Sequence, residues 1–411
     1  MRKKLLAGML ALALCSTNMP LQTIFAEEFT SGNPDVVSEE ETPEIFTNEE
    51  QEAVGETDEE LSVFSSEEVP EFNDAPDEAM AAAENEQAGE IDLADNDKVM
   101  NGVYTISSAG DYKFTCSRET GNRIVVDGKK ISAKDSINIY LNKVNINTSA
   151  GPALRINLNV EATVTIHLTG TNSLITKDNR CAGLQKDNKA QLIIKTNNSD
   201  ATAGILNARS IDGDSAGIGG GYYGTGSCSN IIIDSCSVTA SSTDGAGIGG
   251  GGYGTGSVSG ITIKSSSVTA SSTNGAGIGG GKGGAGSNNI TINGGSVKAS
   301  SVSGSPTNEG KEVYCCTIEN PENANVTIKP GTGSSEWNWK PVNHSSLDPD
   351  DTNLYVWLPK LESNSTNSYL IILDPENSSE SRTWNYSLDT VTNTFKAAQV
   401  VNDFILKYPV N

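Results

Sequence analysis

The 411-residue chain carries 52 acidic and 28 basic residues, a formal net charge of −24, and is too long for one ordinary domain. Residues 27–97 hold 26 of the carboxylates and no Lys or Arg, so the part from 98 onward is close to neutral, with 25 basic against 26 acidic residues. That balance excludes the basic footprint of a nucleic-acid binder, and beyond the N-terminus no apolar run approaches the roughly 18 residues that cross a membrane.

Arg2, Lys3 and Lys4 precede an apolar run from Leu5 to Leu14, and a second short patch ends at Ile24-Phe25-Ala26. This reads as a secretory signal peptide, residues 1–26, and places the protein outside the cell, secreted or held at its surface. Lipoprotein processing at Cys15 is disfavoured by Leu14, which is bulky where a small residue is wanted. Residues 27–97, acidic and poor in aromatics, read as a self-repelling disordered spacer or as an interaction tail.

From Lys98 the pattern becomes short β-rich runs punctuated by Gly, Asn and Asp. Ile137/Ile139/Leu141, Val144/Ile146, Val164/Ile166/Leu168 and Leu192/Ile194 alternate with polar residues, as strands with one buried face do. Then AGIGGGYYGTGSCSNIIIDSCSVTASSTDG (216–245) is followed by AGIGGGGYGTGSVSGITIKSSSVTASSTNG (246–275) and AGIGGGKGGAGSNNITINGGSVKASS (276–301). GPALR and CAGLQ extend the alignment upstream, so Leu154, Leu184, Ile218, Ile248 and Ile278 recur at 30, 34, 30 and 30 residues as one inward column. Self-similarity at this period marks a solenoid. With two or three short strands per repeat and no amphipathic helix, the expected fold is all-β: a right-handed single-stranded parallel β-helix of about 30 residues per coil over 98–335. Asp244-Gly245 and Asn274-Gly275 fall at one column and are expected to supply positive φ at tight turns. Residues 306–335 read as the last coil. Residues 336–411, which hold all four tryptophans, read as a small C-terminal β domain or cap over the open end.

Candidate functional residues cluster near the glycine repeats. Arg155, Gln185, Gly219, Gly249 and Gly279 follow the inward column, so polar side chains give way to bare backbone. That is either a shallow groove for sugar hydroxyls or simply a stack of tight turns. Lys186 adds a charge beside it. Tyr223 and Tyr253 are thirty residues apart with Tyr222 beside them, an aromatic ladder suited to stacking on sugars or to plain packing. Asp212 and Asp214, with Asp187 one coil earlier, offer oxygen ligands to a hard cation, although a DxD pair also serves as a turn. The repeats lack the GGxGxD pattern of calcium rolls, and no helix follows the GxGxxG-like spacing, so nucleotide binding fails. Beyond the signal, Cys116, Cys181, Cys228, Cys236, Cys315 and Cys316 form no CxxC; they pack as small side chains or pair as a disulfide. His167 points outward with no Ser or Cys partner, and the outward column Asp234, Lys264, Asn293 reads as a solvated cross-strand series, so no catalytic constellation stands out.

The run VNINTSAGPALRI…ATVTIHLTGTNSLIT…RCAGLQKDN (144–188), leading into repeated AGIGGG, resembles secreted bacterial carbohydrate-binding β-helix proteins, similar in fold to pectate lyases. The likeness covers roughly 98–335. It implies non-catalytic binding of a polysaccharide, in related proteins an acidic pectic one, assisted by calcium (Ca2+). Two rivals stay open from the sequence: a pectate-lyase-like polysaccharide lyase, and a structural or adhesive rod whose partners are cell-surface proteins.

Overall fold

The computed structural model of the chain describes residues 89–197, 204–211, 213–320, 324–330, 351–360, 368–374 and 382–401. The expected signal peptide, most of the acidic spacer, Asp212, Trp337 and Trp339 lie outside the described residues.

The chain is a parallel β-helix. A narrow sheet of seven strands runs Val103–Ile106, Arg123–Val126, Leu154–Ile156, Leu184–Lys186, Ile218–Gly219, Ile248–Gly249 and Ile278–Gly279. Leu154 pairs with Leu184, which pairs with Ile218, and the series continues to Ile248 and Ile278. It also extends upstream to Ile124 and Tyr104. The expected five-rung column is thus seven rungs deep, enclosing six turns.

Two further parallel strips complete each coil. One stacks Gly110–Thr115, Ser136–Asn142, Thr163–Thr169, Leu192–Thr196 and Cys228–Asp234, then the first parts of Val258–Ser272 and Ser287–Ala299. The other stacks Asn145–Thr148, Thr171–Thr176, Ile205–Ser210 and Ser237–Ser242, then the second parts of the same two long strands. Strand formation follows from the period of two: Ile137, Ile139, Leu141, Val164, Ile166, Leu168, Ile231, Ile233, Ile261 and Ile263 are all fully buried, and each contributes about 1.5–3 kcal/mol of apolar burial. Like residues stack on like from coil to coil, so one core runs the length of the helix. Cys228 pairs with Val258 in the same slot, as the repeat alignment requires, and the six described cysteines are unpaired thiols.

Three expectations are corrected. Gly245 and Gly275 do not adopt positive φ; at the edge of the narrow sheet Gly219, Gly249 and Gly279 do, at φ of 132°, 137° and 136°. Gly245 is required by packing, since a Cβ there would meet the Ser215 carbonyl carbon at 2.2 Å. Second, the β-helix begins inside the expected spacer: Ile91 pairs with Phe114, and Leu93 is fully buried. Third, residues 306–335 are not a last coil. Lys311–Glu319 and Asn325–Pro330 pair antiparallel with Asn353–Pro359 and Ser368–Asp374, around a separate core that includes Cys316, Ile318, Val356 and Tyr369. A period of two does not distinguish a parallel partner from an antiparallel one, which is why the sequence pattern misled.

This C-terminal sheet closes the last coil. The Trp357 indole Nε1 donates to the Val297 carbonyl at 2.9 Å, and the Tyr355 amide donates to Ser296 Oγ at 3.0 Å. Lys298 forms an ion pair with Asp351 beside them. Among the described residues no helix is long and apolar enough to cross a membrane.

Candidate functional site

The glycine repeats build a stack of loops beside the narrow sheet. Each chain segment leaves the sheet at a left-handed glycine, and the loops 220–227, 250–257 and 280–286 lie on one another. Gly220 N donates to Gly249 O and Gly250 N to Gly279 O, both at 2.8 Å; Tyr223 N donates to Gly252 O at 3.1 Å and Tyr253 N to Lys282 O at 2.7 Å. Backbone is packed on backbone so closely that a Cβ at Gly219 would stand 2.0 Å from Gly249 O. Gly219, Gly249 and Gly279 are therefore buried. The groove of exposed amides expected along that column does not exist; the glycines allow the loops to stack.

The polar residues of the same column are mostly internal. Gln185 is only 9 % exposed; its Oε1 accepts from Ala182 N at 3.3 Å and its Nε2 donates to Asp187 Oδ2 at 2.8 Å. Asp187 Oδ1 accepts the Gly221 amide at 2.9 Å, which ties the first glycine loop to the coil before it. Burial raises the Asp187 pKa, opposed by these two hydrogen bonds and by nearby Arg155 and Lys186. Asp187 lines a narrow cleft with Gly220, Gly224, Gly250, Gly254, Cys228 and Val258 that is wide enough for a water molecule and no more. No sugar enters it. Arg155 is half-buried and paired in register with Gln185.

Lys186 does not belong to a binding surface. It is fully buried, in register with inward-facing Ile156, and its Nζ donates to the carbonyls of Asn188 at 2.8 Å and Ser229 at 2.6 Å. Burial lowers its pKa to about 8. The period of two that sends Leu184 inward sends Lys186 inward as well. That signal was present in the sequence.

The tyrosines do come together. Tyr223 and Tyr253 have ring centroids 5.7 Å apart at 30°, and Tyr222 lies 4.2 Å from Tyr223 and 6.1 Å from Tyr253. Tyr223 is 58 % exposed and Tyr253 37 %. The Tyr222 amide donates to Ser215 Oγ at 2.9 Å, fixing the start of the turn. Tyr223 and Tyr253 sit at φ of 51° and 53°, in the left-handed region, and the third repeat places Gly283 there at φ 60°. A bulky residue in that region costs about 1–2 kcal/mol. The Tyr222 hydroxyl, hydrogen-bonded to Tyr223 and partly desolvated, is pushed up to about 12, so it stays a neutral phenol.

Three residues not singled out for the site edge this patch. Lys282 Nζ lies 5.9 Å from the Tyr253 ring and 3.0 Å from Asp244 Oδ2, while Asn274 Nδ2 donates to Asp244 Oδ1. Repeat arithmetic could have found Lys282, which occupies the position of Tyr222 and Gly252. Asp214 lies beside them, its carbonyl accepting the Gly252 amide at 2.6 Å. Asp212 lies outside the described residues, and among those described no three His, Cys, Asp or Glu side chains gather as metal ligands, so Asp187 and Asp214 do not form a described cation site. His167 is half-buried and stacked on Tyr140 at 4.4 Å and 12°, so each ring covers a face of the other.

A family model described as a beta helix repeat matches residues 261–282 and 290–305, from the second glycine coil to just past the third. No curated protein and no solved structure matches the chain.

Proposed function

We propose that this β-helix is an extracellular, non-catalytic polysaccharide-binding protein and that Tyr222, Tyr223 and Tyr253 are its binding surface. One observation carries the reading: two tyrosines occupy left-handed backbone at a position where the next repeat uses glycine, and both remain exposed. The rings pack on one another yet Tyr223 stays more than half in water, and backbone strain retained at an exposed surface points to function. Tyrosine rings present apolar area with a polar tip, the combination that suits sugar faces and hydroxyls. Export rests on the N-terminal sequence. An acidic glycan and calcium rest on the sequence resemblance alone.

The test is electrophoresis of the full chain through gels containing different polysaccharides, beside the variant Tyr223→Gly/Tyr253→Gly. Retardation by a glycan that the variant loses, with thermal stability kept or raised, supports the reading. Free migration through every gel overturns it in favour of the adhesive rod, which would be retained on cell-surface proteins. Release of an unsaturated, ultraviolet-absorbing product from polygalacturonate would instead make the protein a lyase.

A further inference from the structure

The charges that ring the tyrosines say which glycans they accept. Asp214 and Asp244 are thirty residues apart, in successive coils, and both border Gly252, the residue before Tyr253: a Cβ on Gly252 would lie 2.7 Å from Asp214 O and 3.5 Å from Asp244 Cβ. Asp214 is also the neighbour of Ser215, which anchors the Tyr222 amide. The cations nearby are already matched. Lys282 is held by Asp244 at 3.0 Å. Arg180, whose carbonyl also accepts the Tyr222 amide, lies 3.9 Å from Asp178. Among the described residues Asp214 has no cationic partner, so Asp178, Arg180, Asp214, Asp244 and Lys282 leave the rim of the patch net negative.

We infer that the tyrosine patch selects uncharged glycans and that Asp214, with Asp244, is its specificity-determining element against polyanionic ones. This rests on the proposed binding role of the same tyrosines and departs from the acidic glycan implied by the resemblance. A carboxylate-bearing sugar laid on Tyr223 and Tyr253 meets a net-negative rim whose cations are already paired, and like-charge juxtaposition is an effective way to reject a ligand. An uncharged chain meets ring faces, phenol hydroxyls and the carboxylate oxygens, which accept hydrogen bonds from sugar hydroxyls.

The experiment uses the full chain in gels containing uncharged glucan, xylan, mannan or galactan, and in gels containing polygalacturonate, at low and high salt. The expected result is retardation in at least one uncharged gel, lost in Tyr223→Gly/Tyr253→Gly, and none in polygalacturonate at low salt. Asp214→Asn/Asp244→Asn, which removes both carboxylates and frees Lys282, gains retardation in polygalacturonate, and that gain weakens with added salt because the new attraction is screened. Circular dichroism of each variant confirms the fold. Tyrosine-dependent retardation of the unmodified chain by polygalacturonate overturns the inference while leaving polysaccharide binding intact. So does a folded double Asn variant that gains nothing. No retardation in any gel removes the binding reading and the inference together.

Discussion

The Lys186 ammonium donates to the Ser229 carbonyl at 2.6 Å across one full coil, inside the β-helix. It shares the interior with Cys228, and both are shielded from water. A cation there is tolerated because two carbonyls receive it, yet its desolvation is incompletely offset.

Stability should therefore rise with pH in a defined window. The Lys186 pKa falls from 10.5 in the unfolded chain to about 8 in the folded one, a shift worth on the order of 3 kcal/mol. Below pH 8 both states carry the proton and the penalty is constant. Between about 8 and 10.5 the unfolded state binds more protons, so unfolding becomes harder as pH increases. Urea midpoints of the wild-type chain should climb through that range relative to Lys186→Met. Parallel pH profiles would refute it.

Gly219, Gly249 and Gly279, at the edge of the narrow sheet, should tolerate no side chain. Gly249 is at φ 137°, and a Cβ there would meet Gly279 O at 1.9 Å. Gly249→Ala has to move a backbone shared by three stacked loops, and a loss of about 2–4 kcal/mol is expected from strain and overpacking. Thermal unfolding of this variant beside Gly286→Ala, at an exposed position where a Cβ would meet nothing within 4 Å, measures the contrast.

The interior thiols should be chemically silent. Burial pushes Cys228 and Cys236 up to about 12, and the thiolate is the reactive form. Alkylation at pH 8, followed by mass spectrometry, should label neither until denaturant is added. Rapid labelling of the native protein would mean that the coils open locally.

The C-terminal sheet should act as a stopper for strand pairing. Trp357→Phe removes the bond to the Val297 carbonyl and leaves an acceptor at the last coil without that donor, costing about 1–3 kcal/mol if the group stays buried. Truncation after residue 305 exposes the Ser287–Ala299 edge, and light scattering should then show concentration-dependent association. A truncated chain that stays monomeric would assign the sheet another role.

The fold was legible because its determinants are periodic. Leu154, Leu184, Ile218, Ile248 and Ile278 announce a column by spacing alone, and the tyrosine ladder follows from the same arithmetic. What spacing does not report is what covers a face. Gln185 and Gly219 alternate outward as expected, yet the stacked glycine loops bury them. The Lys186 error was of a different kind: its chemistry outweighed its parity, and in a solenoid parity decides. The switch from parallel coils to an antiparallel cap near residue 306 leaves no trace in a pattern that both arrangements share.

The unequal pairing distances bear on how such a molecule changes length. Ile231 to Ile261 spans 30 residues, whereas Leu192 to Ile231 spans 39, and both keep their side chains in the same column. The column constrains where a coil begins and ends, while the path between is elastic. Copying a whole coil would therefore lengthen the rod by one step of about 4.8 Å and leave every other column undisturbed. A shift of a single residue within a strand would turn its isoleucines out to water. Length in this architecture is a quantised trait, counted in coils, and each added coil of the AGIGGG type brings one more site at which a tyrosine can be displayed or withheld.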